Sequence, residues 1–107
     1  MNNTGLQLVV PRSHPCYADH FPGNPLVPGA LLLQWIARRV EVQFQDITVT
    51  GIKLAKFLHA VLPGDTCRLN IVHHVHNDMV TVECKRGDTL LCHCKMNVSS
   101  NRTYHNE

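Results

Sequence analysis

The stretch Asp19-His20-Phe21-Pro22-Gly23-Asn24-Pro25-Leu26-Val27-Pro28-Gly29-Ala30-Leu31-Leu32-Leu33 runs from a proline-broken segment into a block of leucines, and it marks where a loop gives way to a helix. Between Ser13 and Pro28 the chain carries four prolines and the turn-forming pair Gly23-Asn24, so no regular element is expected to persist there. A structureless loop of that length is uncommon inside a compact domain and is usually functional. Pro28 suits the first turn of a helix, because its ring presets φ and its missing N–H would have had no partner. The helix is predicted to run to about Phe44. On a helical wheel Leu32, Leu33, Ile36, Ala37, Val40 and Phe44 share one broad stripe, which Leu31 and Trp35 widen, so most of the helix is expected to be buried. Gln34, Arg38 and Glu41, with Arg39, leave one narrow polar line along it.

Working outward, Leu6 to Val10 is a β-prone run closed by Pro11, which cannot donate to a sheet ladder. Everything after Asp46 reads as sheet: Ile47 to Phe57, a turn at Pro63-Gly64-Asp65, then Arg68 to His76, Met79 to Lys85 and Leu90 to Val98. Asn77-Asp78 and Arg86-Gly87-Asp88 are hairpin-length connections, so neighbouring strands should be antiparallel. Three alternating rows predict one buried sheet face: Leu69, Ile71 and Val75; Val80, Val82 and Cys84; and Leu90, Cys92, Cys94, Met96 and Val98. The expected class is α+β, an antiparallel sheet wrapped around one central apolar helix. We expect a single domain over residues 1–107, with its core at about 5–98 and a tail over 99–107.

Composition fits one such domain. The chain has 107 residues, 44% hydrophobic and 17% charged, enough apolar surface to offset its ordering entropy. A formal net charge of +2 is too slight for the footprint of a nucleic-acid binder. The longest apolar run, Ala30 to Leu33, falls far short of the roughly twenty residues of a membrane span, and Met1-Asn2-Asn3-Thr4 lacks the charge-then-apolar order of a signal peptide. A cytoplasmic protein is expected. The five cysteines, Cys16, Cys67, Cys84, Cys92 and Cys94, are odd in number and without framework spacing, which fits reduced thiols. His73-His74-Val75-His76 and Cys92-His93-Cys94 hold zinc-competent side chains. On strands, however, His74 and His76 would share one face and the two cysteines would sit in an apolar row, so no metal is expected.

The Asp19 to Leu33 string closely resembles the signature of the β-hydroxyacyl-acyl carrier protein dehydratases of the FabZ and FabA class, which have the hot-dog fold. Gly51-Ile52 through Ala55-Lys56-Phe57 to Pro63-Gly64-Asp65 resembles a second block of that family at a compatible spacing. The resemblance implies dehydration of a 3-hydroxyacyl thioester on acyl carrier protein to the trans-2-enoyl product, without a cofactor. It assigns removal of the α-proton to His20, a role that histidine's ordinary pKa suits. It also assigns the backbone N–H of Gly29 to the developing enolate oxygen, where a helix's first turn offers free donors and glycine allows close approach. Phe21, Pro28, Leu31 and Trp35 are expected to contact substrate, the helix lining an acyl tunnel at a subunit interface. The remaining histidines, His14 and His59 among them, are expected to be surface or packing residues.

One position departs from the family pattern. Where the family carries Glu or Asp as the acid that protonates the leaving hydroxyl, this sequence has Gln34, and a carboxamide donates hydrogen bonds without delivering a proton. Glu41 is seven residues further along the helix, roughly 10 Å away. Family members are dimers in which each site takes its histidine from one subunit and its acid from the other. The resemblance therefore leaves two assemblies open, a homodimer or a heterodimer with a related acid-bearing subunit, as in the small dehydratases of aryl polyene pathways. Thioester hydrolysis, which the same fold also hosts, and a non-catalytic subunit role remain the alternatives.

Overall fold

A computed structural model describes residues 2–20 and 26–100, with side chains described for residues 6–17 and 26–100. The chain forms β1 (Asn2–Val9), α1 (Pro15–His20), α2 (Gly29–Gln43), β2 (Ile47–Phe57), β3 (Thr66–His74), a single 3₁₀ turn (Val75–Asn77), β4 (Met79–Arg86) and β5 (Thr89–Ser100). The strands make one antiparallel sheet in the order β1-β3-β4-β5-β2, with β1 and β2 at its edges. The α+β, hot-dog architecture is therefore as expected. None of the helices among the described residues is long and apolar enough to cross a membrane.

The core lies between α2 and one face of the sheet. Leu32, Ile36 and Val40, four residues apart, are the buried residues of α2, and they meet Leu69, Ile71, Val80, Val82, Cys84, Cys92, Cys94 and Met96 in one cluster. The buried stripe is narrower than the sequence predicts. Leu31, Leu33, Trp35, Ala37 and Phe44 pack against the core but are only partly buried; Leu33 and Ala37 border an open hollow beside β2, and Trp35 one beside β1. The helix also begins one residue later than expected. Pro28 is its cap, with ψ 141° and no side-chain capping bond, and its carbonyl accepts the first helical bond from Leu32 N at 3.0 Å. At the far end the Glu41 carboxylate accepts Val49 N–H at 2.9 Å, tying α2 to β2.

Four local expectations are corrected. The segment after Ser13 contains α1, because Pro15 opens the helix where a proline is tolerated and the His14 ring Nδ1 accepts Cys16 N–H at 3.1 Å. Tyr17 anchors this helix, buried and donating its hydroxyl to Pro11 O at 2.8 Å. Val75 does not continue the buried row of β3. It is 60% exposed in the 3₁₀ turn, which Asp78 closes in the left-handed region at φ 50°; His76 shares that turn, so it is not paired with His74 on a strand face. On β5 the fully buried position is Leu91 and not Leu90. Cys84 pairs with Cys92 but Lys85 with Leu90, so Leu91 is an extra residue that turns inward at a bulge. Finally, β5 extends to Ser100, paired with Ile47, two residues beyond the expected end; residues 101–107 of the expected tail lie outside the described residues.

Candidate active site

The start of α2 opens into a hollow of about 460 Å³ whose lining is mostly apolar. Pro28, Gly29 and Leu32 form its helix side, and Phe57, His59, Ala60 and Val61 form the opposite wall. The two walls come from segments some thirty residues apart, and backbone bonds hold them together. Val27 N donates to Val61 O at 3.0 Å just before the helix begins. The Leu91 bulge supplies the next anchor, its carbonyl accepting Leu58 N at 2.8 Å and His59 N at 3.4 Å. Beyond Val61, the turn at Pro63-Gly64 is closed by Asp65 N to Leu62 O at 3.1 Å, with Gly64 at φ 86°. An L-residue would be strained in that conformation.

Gly29 sits where this wall and the helix meet. A β-carbon built on it would lie 2.8 Å from Phe57 Cζ and 3.1–3.2 Å from the two Cε atoms, so the aromatic ring occupies the space a side chain at position 29 would need. Pro28 at the cap makes no side-chain hydrogen bond to the first turn, and the first-turn N–H groups have no partner inside the helix. The result is a set of backbone donors at the positive end of a 15-residue helix, facing an apolar hollow. Such a site favours negative charge developing on an oxygen placed there.

The expected site residues divide between hollows. Pro28 and Gly29 line the hollow just described, and Leu32 joins them from the helix; Leu31 and Trp35 do not line it. Trp35 lies on a separate hollow of about 250 Å³ with Leu8, Pro11, Arg38 and Arg39, its ring edge-on to His14 with centroids 5.9 Å apart. Gln34 is exposed and lines a third hollow, of about 360 Å³, between Ala30, Leu33 and Ala37 of α2 and Val49, Gly51 and Ile52 of the edge strand β2. Positions 29 and 34 are about 140° apart around a helix at 100° per residue, so one copy of the chain directs them to different sides. His20 ends α1, but its side chain lies outside the described residues, as does Phe21.

The sequence reading missed the far wall of the hollow. The 51–65 block reads as a unit, but nothing in it marks Phe57, Ala60 or Val61 as a wall, and His59 reads as a surface or packing residue. His59 is exposed and also lines the hollow, and among the lining residues it is the ionisable one. No local signal marks such a wall, because it is defined by what it faces across the fold.

Elsewhere the chemistry-bearing side chains are inward or dispersed. Cys67, Cys84, Cys92 and Cys94 are buried free thiols on the core face of β3, β4 and β5. The hydrogen bonds of Cys84 to Cys67 and of Cys94 to Cys92, followed by burial, push the Cys84 and Cys94 thiols well above the ordinary cysteine range. The same hydrogen bonds lower the Cys67 and Cys92 thiols, and burial keeps all four inside the core. No group of three or more His, Cys, Asp or Glu among the described residues is placed to hold a metal ion.

Comparison with known proteins gives this geometry a family. A family model described as ApeI-like, ApeI dehydratase, matches residues 1–97. The 3-hydroxyacyl-[acyl-carrier-protein] dehydratase FabZ of Ehrlichia chaffeensis is 37% identical over 73 residues, covering 61% of this chain and 51% of that protein. The chain thus spans about half the length of the curated relatives it matches. Among solved structures, the dehydratase heterocomplex ApeI:P from Xenorhabdus doucetiae aligns with TM-score 0.74 at 22% identity, covering 86% of this chain and 82% of that one. An uncharacterized protein from Erwinia carotovora subsp. atroseptica aligns with TM-score 0.70 at 27% identity, covering 88% and 80%.

Proposed function

This chain belongs to the ApeI-like dehydratase family, and from that premise we propose that it takes part in removing water from 3-hydroxyacyl thioesters carried on acyl carrier protein. His20 takes the α-proton of the thioester. The electron pair left behind moves toward the thioester carbonyl, and the Gly29 N–H stabilises the oxygen as it gains charge. The carbon–oxygen bond at C3 then breaks as the hydroxyl receives a proton, leaving the trans-2-enoyl thioester and water. The acyl chain lies in the apolar hollow between Leu32 and the Phe57–Val61 wall. The observation that supports this reading is the start of α2, which opens into the hollow beside Phe57 with glycine where the ring leaves little room for a β-carbon.

The proton for the leaving hydroxyl comes from the partner subunit of a hot-dog dimer. Positions 29 and 34 diverge around α2, so the residue at the Gln34 position of one subunit serves the site built on the other subunit's Gly29. Gln34 cannot supply that proton. A second, related subunit carrying Glu or Asp there would complete the site that holds this chain's His20, a pairing of the kind named in the ApeI:P heterocomplex. The edge strand β2 and the Gln34 hollow beside it offer the surface for such a partner, and the pathway is one of fatty acid or aryl polyene type.

The test follows enoyl product and free thiol when the purified protein is given a 3-hydroxyacyl thioester on acyl carrier protein, alone and with an acid-bearing ApeI-like partner, with His20→Ala as control. Enoyl product that needs the partner and disappears in His20→Ala supports the proposal. Free thiol in its place would show hydrolysis, and enoyl product that survives His20→Ala would remove the assigned base.

A further inference from the structure

We infer that Arg86 is a positioning residue that sets which acyl groups the hollow accepts. This inference rests on the proposed acyl-thioester reading. Arg86 closes β4, outside both sequence blocks that carry the family resemblance. Its NH1 donates to Asp65 Oδ2 at 2.6 Å and to Ala60 O at 3.3 Å. The same Asp65 oxygen accepts Leu62 N–H at 2.8 Å. One guanidinium nitrogen therefore grips the 60–65 segment at two points, a side chain and a backbone carbonyl, and one of those points belongs to a residue on the wall of the hollow.

The placement of that grip decides its consequence. The wall segment is held at one end by the Leu91 carbonyl, which takes the Leu58 and His59 N–H groups, and further along by Val27 N to Val61 O. Ala60 lies between these anchors, and its carbonyl accepts from Arg86. Val61 leads through Val27 to Pro28 and Gly29, so the position of the wall is linked to the start of α2 by one hydrogen bond and two residues of chain. With Asp65 14% and Arg86 39% exposed in their side chains, the contact is partly shielded from solvent, and the short distance is that of a charge-assisted hydrogen bond. Lysine would keep the charge and a nitrogen with several donors, but on a flexible stem that fixes its direction less firmly than the planar guanidinium.

The experiment measures binding of chemically inert 3-hydroxyacyl pantetheine amides with a short, a long and a branched acyl group, so that the result does not depend on the residue at position 34. Wild type, Arg86→Ala, Arg86→Lys and Asp65→Asn are compared by calorimetry, and backbone amide exchange is followed at Val27 and Leu62. The expected result is that Arg86→Ala compresses the preference among acyl groups by about tenfold, the scale on which an apolar pocket discriminates single methylenes. Exchange at Val27, whose N–H donates to Val61 O, and at Leu62, whose N–H donates to Asp65 Oδ2, accelerates while core amides on β3 and β5 stay protected. Asp65→Asn shows the same trend, and Arg86→Lys restores part of the preference. Unchanged preference in Arg86→Ala, or a uniform loss for every acyl group together with core exchange, would overturn the inference and leave the acyl-thioester reading intact. If wild type binds none of the amides, that reading fails, and the inference falls with it.

Discussion

The α-carbon of Gly29 lies under the ring of Phe57, with 2.8 Å between Cζ and the place where a β-carbon would stand. This contact joins the end of β2 to the start of α2. Gly29→Ala should destabilise the protein by about 1 kcal/mol or less, below the usual cost of overpacking a core, because the atoms it meets are the far end of a Phe57 side chain that is 49% exposed. Phe57→Leu should relieve most of that cost in the double variant. Denaturant unfolding of the four proteins in a double-mutant cycle measures the coupling, and additive effects would show that the ring yields freely.

Gln34→Glu supplies a carboxyl at the position where the family places its acid. In the protein without any partner, this variant should raise enoyl formation about 10²-fold or more, the contribution of a positioned general acid. Its activity should also acquire an alkaline limb as the new carboxyl ionises. Combining Gln34→Glu with His20→Ala should abolish the gain, which separates restoration of the site from a change in folding.

The five thiols should divide by burial. Cys16 is partly exposed, whereas Cys67, Cys84, Cys92 and Cys94 are buried. With a thiol reagent at mildly alkaline pH, Cys16 should react first and the other four only as the protein unfolds. Their labelling rate then reports global opening. Fast labelling of a second cysteine in native protein would place that residue nearer the surface than the core described above.

Tyr17 gives the stability a pH limit. Burial, with a smaller contribution from neighbouring Cys16, raises its pKa above the ordinary value. The folded state therefore holds this proton more tightly than the unfolded chain does. The associated stability is complete below about pH 10, the ordinary tyrosine value, and is lost as pH rises from there through the raised folded-state value. Tyr17→Phe should remove the hydrogen bond to Pro11 O, costing about 1 kcal/mol at neutral pH, and should flatten the alkaline decline. Thermal midpoints of both proteins between neutral and strongly alkaline pH check both effects.

These sites also show how far the sequence could be read. Alternation places Ile71, Val82 and Cys94 inward, and period 3.6 places Leu32, Ile36 and Val40 inward, because each pattern registers a single packed face. The Leu91 bulge cancels that logic locally by adding a residue to one strand. Four prolines argued for an unstructured segment, yet Pro15 occupies the helix position that suits its ring. The positions of Gly29 and Gln34 were legible from the family resemblance and the helix start. Their divergence into separate hollows, and the wall made by Phe57 and Ala60, depend on contacts across the fold that no local window contains.

The strand order β1-β3-β4-β5-β2 has a consequence for synthesis on the ribosome. Among the described pairings, β1 joins only β3 and β2 joins only β5. Among the described residues the first 57 thus contain two strands and two helices, one with a leucine-rich side, but no two strands that pair with each other. Until the β3-β4-β5 meander has emerged, that half of the chain has nothing to wrap, and at about 5–20 residues per second its apolar surface stays open for seconds. Slowing translation across residues 66–100 should lengthen that interval and raise the share of nascent chains held by chaperones, whereas slowing it before residue 57 should matter much less.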